Sequence, residues 1–221
     1  MAFKVETFPG ADFPEAAARE IVAALPGGGT LVLTGGSTVE PIYPRLAAKR
    51  DWSDVAIGFS DERCVPPDDP ASNYGMARRL FIDAAEPAAV HRMKGEMPPE
   101  AGAADYAEQM RPHVAHGFDL LLLGMGADCH VGAIFPSSPA LSALQPAVAV
   151  DRPDGLKGIT LGPPAMTSAR KILLLVAGAG KAEAVARAVT GDEQPETCPA
   201  RLLADHPDAT FLLDEAAASE L

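Results

Sequence analysis

Residues 118–136, FDLLLLGMGADCHVGAIFP, place two titratable side chains, Asp128 and His130, two positions apart directly behind an apolar run. An imidazole beside a carboxylate is a pairing that general-base chemistry uses, although a lone histidine after a strand is also met as a cap or as a group satisfied within the core. The carboxylate fixes the ring tautomer and favours the imidazolium that forms when the ring accepts a proton. Leu120, Leu121, Leu122 and Leu123 come just before, without strand alternation, and read as a central parallel strand covered on both faces. Gly124 and Gly126 let the backbone turn sharply or approach a ligand closely. In an open α/β sheet, ligands bind beyond the carboxyl ends of the strands, so this segment is expected to floor an active site.

Three further stretches carry chemistry and also follow strand-like runs. Thr34-Gly35-Gly36-Ser37-Thr38 succeeds the buried run Thr30–Leu33 and precedes a helical stretch through Arg45–Lys49. A strand, a glycine pair, hydroxyls and a helix start are the parts of an anion cradle. No Lys-Ser/Thr pair follows and G-x-G-x-x-G is absent, so the pattern points to phosphate or carboxylate rather than a nucleotide. A tight turn capped by Ser37 has the same local signature.

Asp61, Glu62 and Arg63 stand behind the strand-like Val55–Phe59, in a loop that ends at Ser72-Asn73. Burying three charges costs several kcal/mol unless each has a partner. The expected arrangement has Arg63 gripping an anion while Asp61 and Glu62 orient it or contact hydroxyls. After the buried run Lys171–Val176, Gly178-Ala179-Gly180-Lys181 opens a helix with Ala184, Val185, Ala188 and Val189 on one face. Lys181 then sits in a first helical turn, where the macrodipole disfavours a cation unless an anion is bound.

The remaining elements serve to position these four loops. Lys4–Glu6 alternates like an edge strand, and Asp12 with Glu15 makes a capping arrangement for a helix carrying Ala17, Ile21, Ala24 and Leu25. Pro26-Gly27-Gly28-Gly29 ends that helix. Ala77, Leu80 and Phe81 continue a helix, Val90–Arg92 allows a short strand, and Ala101–His116 has helical periodicity that Pro112 limits. Ala147–Val150 and Ile159–Leu161 read as antiparallel or edge strands around a DRPDGLKG turn. The last strand is Thr210–Leu213, followed by a helical tail from Asp214. Strands alternating with helices predict an α/β fold, a doubly wound, mostly parallel sheet with helices on both faces. Four strand-end loops at one sheet edge then form one pocket.

The chain has 221 residues, 48% hydrophobic and 22% charged, values expected of a single domain spanning 1–221. Its formal net charge of −12 argues against nucleic-acid binding, which needs clustered Lys and Arg, but leaves room for a local basic pocket taking a small anion. Three scattered cysteines, Cys64, Cys129 and Cys198, fit neither a disulfide framework nor a four-ligand zinc site. With no secretory pattern at the start and no long apolar span, a cytoplasmic protein with no membrane partner is expected.

Five segments resemble, in order and spacing, the successive motifs of the 6-phosphogluconolactonase family: LVLTGGSTVEPIYPRLA, SDERCVPPDDPASNYGMARRLF, DLLLLGMGADCHVGAIFP, ITLGPPAMTSARKILLLVAGAGKAEAV and PARLLADHPDATFLLDEAA. The resemblance implies a glucosamine-6-phosphate isomerase-like α/β fold, no cofactor and no metal. It also implies hydrolysis of 6-phospho-D-glucono-1,5-lactone, a small-molecule sugar-phosphate lactone, in the oxidative pentose phosphate pathway. On that footing His130 and Asp128 are catalytic, and Gly35, Gly36, Ser37, Asp61, Glu62, Arg63, Asn73 and Lys181 bind substrate. The chain departs from the family pattern at Cys129 for Gly, Val131 for Thr and Ala133 for Ser. A Cys at a positive-φ site would be strained by about 1 kcal/mol or more. Gly158 also stands where the family frequently has Arg, and adjacent Lys157 is the expected replacement in holding phosphate.

Two other readings come from the same features. A glucosamine-6-phosphate deaminase on this fold would carry an Asn-Glu pair shortly after the His, where this chain has Ala133-Ile134-Phe135-Pro136. A non-catalytic sugar-phosphate sensor would have no need of both Asp128 and His130.

Overall fold

The computed structural model describes residues 3–25 and 27–221; Pro26 of the expected helix stop lies outside them. Among the described residues, ten strands follow in chain order: β1 Lys4–Phe8, β2 Gly29–Leu33, β3 Val55–Phe59, β4 Asp61–Arg63, β5 Ala89–Val90, β6 Leu120–Gly124, β7 Ala147–Asp151, β8 Lys157–Leu161, β9 Ile172–Val176 and β10 Ala209–Asp214. The α-helices are α1 Phe13–Ala24, α2 Tyr43–Ala47, α3 Asn73–Ala77, α4 Asp83–Ala85, α5 Pro99–His116, α6 Pro163–Thr167 and α7 Ala182–Val189. Among the described residues, seven strands form one sheet in the order β1-β10-β9-β6-β2-β3-β5, and every pairing in it is parallel.

The unbroken apolar runs are explained by the pleat. Successive side chains of β6 enter opposite layers, Leu121 and Leu123 on one side and Leu120 and Leu122 on the other. In β9, Ile172, Leu174 and Val176 take the first side, Leu173 and Leu175 the second. α1 and α2 cover one face through Phe13, Ile21, Tyr43 and Leu46, whereas α5 and α7 cover the other through Tyr106, Met110, Val185 and Ala188. A strand buried on both faces leaves no alternation to read.

The charged triplet at 61–63 differs from the expected loop. It forms β4, which pairs antiparallel with β8 (Asp61↔Thr160, Glu62↔Ile159, Arg63↔Gly158), and β8 pairs antiparallel with β7. These three strands make a second, smaller sheet. Ser60 is the corner between the sheets, its N–H donating to Leu33 at 2.8 Å and its carbonyl accepting from Leu161 at 2.8 Å. A strand of three charged residues has no hydrophobic period, so only its partner reveals it.

Other expectations shift locally. α5 runs through Pro112, which lies on its exposed side. The segment after Asp214 is a series of turns, not a helix. Asp12 makes no side-chain cap to α1; Glu15 instead pairs with Lys49.

A histidine pair lies away from the strand-end loops, near the amino end of β2. His113 of α5 meets Thr30 Oγ1 through Nδ1 at 2.8 Å, and its ring centroid is 5.0 Å from that of His91. Burial, and next the neighbouring His91, hold the His113 pKa below its ordinary 6.5. The unfolded chain therefore binds this proton more readily, so the stability it confers is complete above pH 6.5 and lost as pH falls through the lower folded value. Thermal melts at pH 7 and pH 5 are expected to show a smaller pH-dependent loss of Tm in His113→Gln than in the parent protein. An equal loss in both would remove His113 as the titrating group.

Candidate active site

The carboxyl ends of β2, β3, β6 and β9 lie adjacent in the sheet, and the loops that follow them surround a cleft of about 150 Å³. It is lined by Thr34–Thr38, Asp61, Arg63, Asn73, Gly124–Gly126, His130, Gly132, Arg152 and Lys181.

Behind β6 the chain folds back on itself. Cys129 N–H donates to the Gly126 carbonyl at 3.1 Å and Gly126 N–H to the His130 carbonyl at 2.9 Å. This tight loop brings Asp128 Oδ1 to 2.6 Å from His130 Nδ1 and 3.2 Å from His130 N. The hydrogen bond to His130 holds the Asp128 carboxyl down at about 2, so it is ionised across the physiological range. An ionised acceptor at Nδ1 puts the ring proton there and leaves Nε2 as the basic nitrogen. Phe135 packs against the imidazole, ring centroids 4.6 Å apart.

Gly126 has no room for a side chain. A Cβ built there would lie 2.1 Å from His130 Nδ1 and 2.5 Å from Asp128 Oδ1. Cys129 adopts φ +67°, so the side chain expected to be strained at this place is indeed in the left-handed region. Such a conformation costs a non-glycine residue about 1–2 kcal/mol. Its thiol is buried and donates to the Ala184 carbonyl at 3.6 Å, and the neighbouring Cys198 together with burial pushes its pKa up.

The acidic triplet divides by depth. Glu62 is buried and does not line the cleft; its carboxylate accepts from the N–H groups of Arg63 and Asn73 at 2.7 Å and of Tyr74 at 2.8 Å, and from Ser72 Oγ at 2.9 Å. Burial pushes its carboxyl pKa up, against the effect of these four donors. Glu62 is thus the template on which the 72–74 turn is wound, rather than a contact for substrate hydroxyls. The turn delivers Asn73, whose Nδ2 donates to Asp61 O at 3.0 Å and Asp61 Oδ2 at 3.1 Å. Asn73 packs so closely on Gly35 that a Cβ there would fall 1.9 Å from its Oδ1. Arg63 is anchored by one bond, Nη1 to Ala71 O at 2.6 Å, while its buried Nε has no protein partner.

Lys157 is not brought to the cleft. It opens β8, is 60% exposed at the side chain and pairs with Asp151. The cation that does arrive is Arg152, unremarked in the sequence because it lies in a hairpin turn with no motif around it. Its side chain is only 8% exposed, pairs with Asp154 at 3.0 Å, lies 4.0 Å from Asp61 Oδ2, and sits over Phe135 at 5.5 Å. Its stem passes Gly158, where a Cβ would approach Arg152 Cδ to 3.0 Å and Glu62 O to 3.1 Å. Lys181 lines the cleft from a short 3₁₀ turn, Ala179–Lys181, ahead of α7. The glycine turn 35–37 is likewise not at a helix start, since α2 begins only at Tyr43, and the turn itself lines the cleft. Among the described residues no cluster of three or more His, Cys, Asp or Glu is arranged to hold a metal ion, and no helix is long and apolar enough to cross a membrane.

A parallel α/β sheet whose strand-end cleft joins a His-Asp pair to three cations defines a protein built to handle a small anionic molecule. The chain belongs to the family described as glucosamine-6-phosphate isomerases/6-phosphogluconolactonase, whose model matches residues 11–212. It is 35% identical to the 6-phosphogluconolactonase of Mycobacterium tuberculosis over an alignment 249 positions long, gaps included, covering 100% of this chain and 99% of the relative. The crystal structure of a 6-phosphogluconolactonase from Shewanella baltica superposes with a TM-score of 0.87 at 28% identity, covering 96% of this chain and 97% of the other. A monomeric glucosamine-6-phosphate deaminase shares the fold equally well, TM-score 0.87 at 24% identity over 99% of this chain and 100% of that one. Fold alone therefore does not separate the two activities.

Proposed function

We propose that this protein hydrolyses 6-phospho-D-glucono-1,5-lactone to 6-phospho-D-gluconate in the cytoplasmic oxidative pentose phosphate pathway, as one catalytic domain. The observation that carries the reading is His130, held 2.6 Å from Asp128 and lining the same cleft as Arg63, Arg152 and Lys181. His130 Nε2 takes a proton from water, and the hydroxide formed attacks the lactone carbonyl carbon. Asp128 holds the Nδ1 proton and stabilises the imidazolium, which returns its proton to the ring oxygen as the C–O bond breaks. The three cations and the Gly35-Gly36-Ser37 backbone supply the charge that holds phosphate and the developing oxyanion. After His130 the chain offers Ala133, Ile134 and Phe135, all buried and without a carboxylate for the ring-opening step of a deaminase.

Proton release on adding fresh phosphogluconolactone, beside ammonia release from glucosamine 6-phosphate, tests this reading. The parent protein is expected to accelerate the first and not the second; the opposite result would end it. In the same assay Arg152→Met is expected to raise KM by about 10- to 100-fold, the loss of one or two charge-assisted hydrogen bonds. Lys157→Met should stay within about twofold, as an exposed ion pair contributes little. Equal effects of the two would place phosphate elsewhere.

A further inference from the structure

Thr34 is the last residue before the glycine turn, and its backbone has outrun the sheet. Pairing of β2 with β3 ends at Leu33 and with β6 at Val32. The phenol of Tyr43 takes both backbone groups left over: its oxygen accepts from Thr34 N–H at 3.1 Å and its O–H donates to Thr34 O at 2.5 Å. Tyr43 is fully buried and is the first residue of α2. The segment 34–43 is thereby closed on itself, with Val39 N–H on Gly36 O at 3.2 Å and Tyr43 N–H on Val39 O at 3.0 Å inside the ring. Thr34 Oγ1 in turn accepts from Gly124 N–H at 3.3 Å, two residues before Gly126. One hydroxyl thus fixes the residue from which the glycine turn departs, while the His130 loop is closed by its own bonds between Gly126 and His130 and between Cys129 and Gly126.

Tyr106 makes the same pair of bonds to Phe59, at 2.7 and 2.8 Å. There the chain continues into β4, which β8 holds through its own ladder. The turn after Thr34 has no such strand partner.

We propose that Tyr43 is a positioning residue for the substrate phosphate, setting the backbone of the Gly35-Gly36-Ser37 turn without touching substrate. This rests on the lactonase reading above, and Tyr106 provides the internal control. Tyr43→Phe removes one buried hydroxyl. KM for phosphogluconolactone is expected to rise about tenfold while kcat changes by less than about threefold, the signature of lost uniform binding. Turnover of unphosphorylated glucono-1,5-lactone should be unaffected, and calorimetry should show weaker binding of 6-phosphogluconate and of inorganic phosphate. Tyr106→Phe should lower Tm comparably and leave KM alone. Parent-like KM and phosphate affinity in Tyr43→Phe, or an equal rise in Tyr106→Phe, would overturn the assignment. Should the parent protein hydrolyse neither lactone, the catalytic reading fails, and phosphate calorimetry on the parent and Tyr43→Phe still decides the role of Tyr43; a parent that binds no phosphate overturns that role as well.

Discussion

Replacing His130 by alanine is expected to reduce lactone hydrolysis to the spontaneous rate while leaving 6-phosphogluconate bound. A positioned general base contributes about 10²–10⁴-fold, and no second group replaces Nε2 at the mouth of this cleft. Asp128 is engaged at Nδ1. Asp61 is 5% exposed and tied to Ser60 Oγ at 2.9 Å and Asn73 Nδ2 at 3.1 Å. The groups proposed to grip phosphate belong to other loops, so the product's affinity should change by less than about threefold, as for independent sites. Measured proton release equal in the parent and His130→Ala would remove the imidazole from the reaction.

Gly126→Ala should be nearly as damaging, with a different cause. Gly126 is not among the glycines at positive φ, so alanine fits the backbone there. The difficulty is steric: the added methyl would stand 2.1 Å from His130 Nδ1 and 2.2 Å from Cε1. The imidazole has to swing away from Asp128, and displacement of a reacting group by about 1 Å lowers rates about 100-fold. A loss of that size in kcat/KM is expected, with 6-phosphogluconate affinity retained and Tm within about 3 °C of the parent. Activity within threefold of the parent would show that the dyad geometry has more latitude than the close packing implies. A collapse of Tm would instead show that the methyl breaks the loop itself.

Gly36 offers the contrast. It has φ +98° and open space where a Cβ would stand, so there the demand is on backbone conformation alone. The two glycines look alike in a sequence. One spares a side chain from collision, whereas the other bends the main chain, and only coordinates tell them apart.

The amino-acid order alone determined the parallel sheet and the convergence of its loops. Long apolar runs such as Leu120–Leu123 and Ile172–Val176 can be buried only between two layers, and the chemistry-bearing residues stand directly after them. Asp128 and His130 were legible for the same reason: two positions apart in a tight loop, they have few ways not to meet. Tertiary structure decided what depends on distant partners. The charged β4 exists because β8 lies beside it, and burial on four donors turned Glu62 from an expected substrate contact into a structural template. Arg152, just beyond β7, is carried over Phe135 and toward Asp61, whereas Lys157 opens β8 exposed beside Asp151. Hydrophobic period and local spacing encode short-range geometry; which cation reaches the cleft depends on how the β7–β8 hairpin lies against the rest of the fold, which no local pattern records.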